Sequence, residues 1–167
     1  RNICASISAT SPSCKPLCTM LAERNVKPKL NMREEVTKVA KMLNAILNQQ
    51  GITYKKNAIL QTLEDFESST LREIQRDFDN DDYDDIEDMT KNVNVYIDLK
   101  NLINENSENK TEFQNAYNKI INVYEYYEHK YIRELEFRNS EQRKTYIENI
   151  LSPLILISIF FEEKNQF

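Results

Sequence analysis

Glycine and proline are almost absent from most of this chain, and their absence limits the fold more than any other feature. Gly51 is the only glycine, and residues 29 to 152 contain no proline. Tight turns between strands need residues that tolerate a positive φ or fix it, so several hairpins are disfavoured. Long helices joined by polar loops need no such residues. We therefore predict an all-α fold.

Apolar residues recur at helical spacing in five segments, which predicts a bundle of about five helices. The predicted segments cover about 32–50, 57–78, 84–103, 111–137 and 140–161. In the last of them, Ser152-Pro153 either kinks the helix or caps it and starts a new one. Residues 154–161 are apolar on nearly every side and are predicted to form a central buried helix. The segment NVNVYIDL also alternates with period two, but the chain offers such a strand no obvious partner.

Length and composition favour one folded domain. The chain has 167 residues, of which 40% are apolar, and this is enough to bury one core. Residues 1–28 are rich in Ser, Thr, Pro and Cys, and are predicted to form an irregular tail or lid. Residues 29–167 are predicted to form a single helical-bundle domain.

All three cysteines lie near the start of the chain, and Cys4, Cys14 and Cys18 are the disulfide candidates. In an oxidising compartment two of them pair, and the third is free or joins another chain. In a reducing compartment all three remain thiols. Asn109 begins an Asn-Lys-Thr glycosylation sequon in a predicted loop. These features favour a secreted or exported protein, with the cytoplasm as the alternative.

The negative charge of the chain is concentrated in DFDNDDYDDIED, residues 77–88, which holds eight of the 27 acidic residues. The formal net charge is −5, and without this run the rest of the chain is +3. Lys and Arg are scattered and form no basic stripe, so nucleic-acid binding is not predicted. The apolar run 154–161 is short for a membrane span, so none is predicted.

The acidic run can be interpreted as a calcium site, as a region of weak cation screening, or as a solvated turn between helices. Counted from its first residue, it has carboxylates at EF-hand positions 1, 3, 5, 9 and 12, which are Asp77, Asp79, Asp81, Asp85 and Asp88. It departs from that pattern because Asp82 replaces the glycine at position 6 and Asp84 replaces the apolar residue at position 8. Calcium is the one cofactor that the sequence leaves open. As a partner-binding face, Asp82 and Asp84 would suit a basic protein surface.

The segment LREIQRDFDNDDY, residues 71–83, resembles the amphipathic docking helix of pro-apoptotic proteins. Leu71, Ile74 and Phe78 stand at the anchor spacings. The usual small residue and Asp are replaced by Gln75 and Arg76, and ordinary helix periodicity also accounts for the anchors.

Catalysis is not predicted. His129 is the only histidine, so paired metal motifs on different helices cannot be formed, and one glycine cannot supply a phosphate-binding loop. Tyr117, Tyr124 and Tyr131 recur every seven residues, as core positions do. Tyr126 falls off that stripe and is predicted to contact a partner.

The sequence therefore predicts a non-enzymatic, protein-binding helical bundle. Its bias toward Asn, Asp, Ile, Lys and Tyr resembles that of proteins from AT-rich genomes, including protozoan parasites and large DNA viruses, which suggests a host-interaction protein. One alternative is a carrier of a small apolar ligand in the bundle core. A second alternative is a calcium-responsive binding module that uses residues 77–88. The sequence leaves the oligomeric state open.

Overall fold

The computed structural model describes residues 32–134 and 139–165. Its contacts divide the chain between Lys38 and Val39, and the arrangement given below concerns the unit that begins at Val39. The predicted tail, its boundary near residue 28 and the three candidate disulfide cysteines lie outside the described residues. They stay predictions.

Five helices account for nearly all of the described residues, and no strand occurs among them, which confirms the all-α prediction. The helices are α1 Met32–Gln50, α2 Ile52–Asp79, α3 Ile86–Asn104, α4 Lys110–Glu134 and α5 Ser140–Asn165. The segment NVNVYIDL, which also fits a strand pattern, lies within α3.

The helices pack mainly as two pairs, α2 with α3 and α4 with α5. The first pair stacks the Phe66 and Tyr96 rings with centroids 5.7 Å apart. Lys100 of α3 forms ion pairs with Glu64 and Glu67 of α2, and these hydrogen bonds raise the pKa of Lys100. A further ion pair joins Lys130 of α4 to Glu73 of α2 at 3.2 Å.

The tyrosine stripe of α4 is largely core, as its spacing indicates. Tyr124, Tyr127 and Tyr131 are buried. The Tyr146 hydroxyl of α5 donates a hydrogen bond to the Tyr127 carbonyl oxygen at 2.8 Å. Burial raises the pKa of Tyr146 and of Tyr96 well above their ordinary range, so both hydroxyls stay protonated.

Helix α5 runs through Pro153 without breaking, because a π-helical turn at Ile147–Leu151 precedes the proline. Pro153 has no N–H to donate to the carbonyl four residues earlier. The Ser152 N–H bonds instead to Ile147 O, five residues back. Residues 154–161 are buried except for Ile159, as expected of a central core helix.

By length and composition alone, α5 also qualifies as a membrane-spanning helix. In the structure 56% of its apolar window is buried against the rest of the chain. The core helix of a folded domain meets the same length and composition criteria. The apolar composition of α5 is therefore consistent with its packed position. The absence of a membrane span stays a prediction.

An ion pair between a buried lysine and a partly exposed glutamate joins the start of α2 to the end of α5. Lys55 is 7% exposed, and its ammonium donates to Glu163 Oε1 at 2.7 Å and to Asn48 Oδ1 at 2.9 Å. Glu163 also accepts a hydrogen bond from Asn44 Nδ2 at 3.3 Å. Three helices, α1, α2 and α5, therefore meet at one polar cluster.

We expect the two halves of this ion pair to tolerate substitution unequally. Glu163→Ala leaves a buried ammonium with only an amide oxygen as acceptor, whereas Lys55→Met replaces the charge with an apolar chain of similar length. The free energy of unfolding should fall by about 2 kcal/mol for Glu163→Ala and by less than about 1 kcal/mol for Lys55→Met. Urea unfolding followed by circular dichroism measures both losses, and equal losses would contradict this account.

Candidate functional site

The acidic turn, residues 77–88, joins the end of α2 to the start of α3. At the end of α2 the Asp82 N–H bonds to Asp77 O at 2.8 Å, and the Asp81 N–H bonds to Phe78 O at 3.2 Å. This is the Schellman pattern of helix ending, with a left-handed residue between the last helical turn and the loop. Asp81 occupies the left-handed position, with φ 56°. The turn is thus built by helix-ending backbone bonds.

Two aromatic side chains of this turn project into solvent. Phe78 is 57% exposed and Tyr83 is 55% exposed, and their rings meet edge to face with centroids 5.5 Å apart. The Tyr83 hydroxyl donates to Asp81 Oδ1 at 2.8 Å, and this hydrogen bond raises the pKa of Tyr83. We call Phe78 and Tyr83 the aromatic pair. Each ring restricts the other while leaving much of its own surface uncovered.

The carboxylates around the aromatic pair are mostly uncompensated. Asp85 approaches Arg133 at 3.9 Å, and Glu87 approaches Lys91 at 3.5 Å. The other six carboxylates of the run form no ion pair with any residue that the structure describes, and these are Asp77, Asp79, Asp81, Asp82, Asp84 and Asp88. A concentrated negative potential therefore surrounds an exposed aromatic surface.

The geometry of the acidic turn differs from that of an EF-hand loop. Asp77 and Asp79 lie within α2 and Asp88 lies within α3, so these carboxylates follow helical spacing. The left-handed residue is Asp81, at position 5 of the run, whereas an EF-hand turns sharply at position 6. Across residues 32–134 and 139–165, no three acidic, His or Cys side chains are grouped as a metal site requires. The calcium site stays a prediction.

We expect calcium and magnesium to act on the acidic turn in the same way, by screening its charge. At equal concentrations both ions should raise the melting temperature, measured by circular dichroism, by equal amounts. Asp77→Asn with Asp81→Asn should reduce both effects more than Glu105→Gln with Glu108→Gln, two acidic residues beyond the end of α3. A calcium-specific rise, half complete near about 10 μM and lost in the first variant, would establish a calcium site instead.

Tyr126 was predicted to contact a partner, and the structure places it partly inside the bundle. Its ring meets Tyr127 edge to face at 5.1 Å, and its hydroxyl oxygen is buried without a hydrogen-bond partner among the described residues. Burial, together with the nearby Asp85 carboxylate, raises the pKa of Tyr126. Its role in partner binding stays a prediction, whereas Asp82 and Asp84 are exposed in the turn as a binding face requires.

The remaining candidates lie on helix surfaces. Asn109 is exposed and caps α4, because its side-chain oxygen accepts from the Thr111 N–H at 2.9 Å. Its glycosylation stays a prediction. His129 is exposed on α4.

Sequence periodicity missed the aromatic pair. Helical spacing places Phe78 along one face of α2 with Ile59, Leu63 and Phe66, but spacing does not show where the covered part of that face ends. Thr70 is the last buried residue of α2, so Phe78 lies beyond the covered part. Leu71 and Phe78 follow Thr70 along the helix and stay about half exposed. The acidic residues that follow Phe78 in the sequence were the available signal that this end of α2 is exposed.

No family model, curated protein or solved structure matches this chain.

Proposed function

We propose that this chain is a non-enzymatic, protein-binding helical bundle that engages its partner through the acidic turn. The observation that carries the proposal is the aromatic pair, two rings more than half exposed within a cluster of unpaired carboxylates. Exposed apolar patches with a polar rim are typical of protein interaction sites.

The proposed partner is a protein surface with an apolar pocket surrounded by Lys or Arg. Aromatic side chains supply large contact area at low conformational cost and are enriched among the residues that dominate binding energy. The surrounding carboxylates would speed the encounter with a basic surface and fix its orientation. Phe78 is held at the end of a long helix, so little order has to be gained on binding.

Secretion or export, and a role in interaction with a host, belong to the same proposal. They rest on the cysteine-containing N-terminal segment, the sequon at Asn109 and the composition bias. The absence of catalysis is also part of the proposal, and it rests on the sequence, which has one histidine and one glycine. A carrier role and a calcium-responsive role remain the alternatives.

A peptide display experiment with the intact chain as bait tests the proposal. Random peptides are selected on the wild-type chain and on the Phe78→Ala/Tyr83→Ala variant. Met42→Ala/Ile46→Ala is the matched control, because Met42 is 66% exposed and Ile46 is 54% exposed on α1, away from the acidic turn.

We expect the wild type and the control to enrich peptides that combine basic residues with an apolar anchor, and the aromatic variant to lose them. Equal enrichment by all three baits would refute the proposed surface. Enrichment by none of them would refute protein binding through this turn.

A further inference from the structure

A cleft at the other end of α2 has a charge opposite to that of the acidic turn. It lies between the α1–α2 corner and the end of α5, and has a volume of about 830 Å³. Volumes of this size are typical of small-molecule sites. The residues that matter for its chemistry are Gly51, Ile52, Lys55, Lys56, Phe160 and Lys164.

Two lysines of this cleft have no acidic partner within the described part of the chain. The Lys55 ammonium is neutralised by Glu163, as described above. Lys56 donates to Asn106 Oδ1 at 2.7 Å, a neutral acceptor. Lys164 lies over the Phe160 ring, with its ammonium 5.1 Å from the centroid. The residues lining the cleft therefore carry a net charge of +2 on a chain whose net charge is −5.

Two other clefts of the molecule lack this positive charge. The cleft beside the π-helical turn contains Asp65, Arg72 and Glu148, for a net charge of −1. The cleft that contains Lys119 also contains three carboxylates. A positive cleft attracts anions even when the net charge of the protein is negative, so the charge of this cleft favours anionic ligands.

The start of α2 adds to the positive potential. Gly51 precedes the helix with φ 102°, and no side chain caps the first turn. That turn contains no acidic residue, so its backbone N–H groups and the helix dipole are not offset by a carboxylate. Gly51, Ile52 and Thr53 all line the cleft. Backbone donors and two ammonium groups thus border the same volume.

The cleft also offers apolar surface. Ile52 lines the cleft and is 84% exposed, and the largely buried Phe160 also lines it. A ligand that matches both properties has an anionic head for the lysines and an apolar body for Ile52. We infer that this cleft binds a small amphipathic anion, a carboxylate attached to an apolar chain.

Calorimetry and NMR titration of the full chain test this inference with three probes. Decanoate carries both the head and the chain, decanol carries the chain without the charge, and acetate carries the head alone. We expect decanoate to bind once per chain and to shift the amide signals of Ile52 and Thr53. Decanol and acetate should bind about tenfold more weakly or worse, because each lacks one set of contacts.

The matched variants separate the two lysines from general charge. Lys56→Gln/Lys164→Gln should weaken decanoate binding by about tenfold or more. Lys91→Gln/Lys119→Gln, which removes two exposed lysines elsewhere, should change it by less than about twofold. Ile52→Glu places a carboxylate at an exposed rim position. Ile52→Glu should abolish decanoate binding, and it provides an independent test if the lysine variant fails to fold.

Decanol binding as tightly as decanoate would overturn the inference, as would wild-type affinity in Lys56→Gln/Lys164→Gln. Failure of decanoate to saturate the chain below about 1 mM would also overturn it. None of these results depends on the acidic turn, since Phe78→Ala/Tyr83→Ala should bind decanoate as the wild type does.

Discussion

Replacing Phe161 by alanine lowers the free energy of unfolding by about 4 kcal/mol. Phe161 is fully buried in α5 and meets Phe160 edge to face at 5.3 Å. Because α5 is buried along residues 154–161, its neighbours cannot close around the space that the lost ring leaves. Urea unfolding followed by circular dichroism measures the loss.

Phe78→Ala is the matched control for this prediction, since it removes the same ring from a position that is 57% exposed. We expect it to cost less than about 1 kcal/mol. A loss below about 1 kcal/mol for Phe161→Ala would contradict the central position of α5.

The aromatic pair should supply a large part of the binding energy. For a peptide or partner protein selected on the intact chain, Phe78→Ala/Tyr83→Ala should weaken affinity by about 30-fold or more, equivalent to about 2 kcal/mol. Each ring removed would leave an apolar pocket of the partner in contact with water. Fluorescence anisotropy of the labelled peptide measures the change, and Met42→Ala/Ile46→Ala should stay within about twofold of wild type.

The carboxylates should act on the rate of association more than on the lifetime of the complex. Asp82→Asn/Asp84→Asn should therefore slow association and flatten its dependence on salt, while dissociation changes little. An unchanged association rate, or equal affinities for wild type and Phe78→Ala/Tyr83→Ala, would place the contact elsewhere on the molecule.

Helical periodicity predicted the five helices because each buries an apolar face, and burial leaves a repeating signal in the sequence. Tyr124 and Tyr131 followed that repeat into the core. The limits of α2 were harder to predict. The helix begins at Ile52, five residues before the predicted start at residue 57, and Gly51 alone separates it from α1. Ser68, Ser69 and Thr70 are weak helix formers, yet the helix continues through them.

The polar parts of the two candidate sites left weaker signals in the sequence. Lys55 is buried and pairs with Glu163, which lies 108 residues away along the chain, so no local sequence pattern reveals the pair. Phe78 has the helical spacing of a core residue, yet it is exposed. Periodicity shows which residues share a helix face and not whether another helix covers that face. Asp81 holds the left-handed position that glycine usually takes, so the sequence did not show how the backbone turns after α2, although the predicted end at residue 78 lies one residue from the observed end at Asp79.

Photocrosslinking tests whether the partner binds at the acidic turn. A photoreactive phenylalanine analogue is introduced in place of Tyr83, and in a parallel sample in place of Tyr54, which is 57% exposed near the start of α2. We expect a selected peptide or partner to crosslink from position 83 and not from position 54. The crosslinked segment should carry Lys or Arg beside an apolar residue. Crosslinking from position 54 alone, or equally from both positions, would contradict binding at the acidic turn.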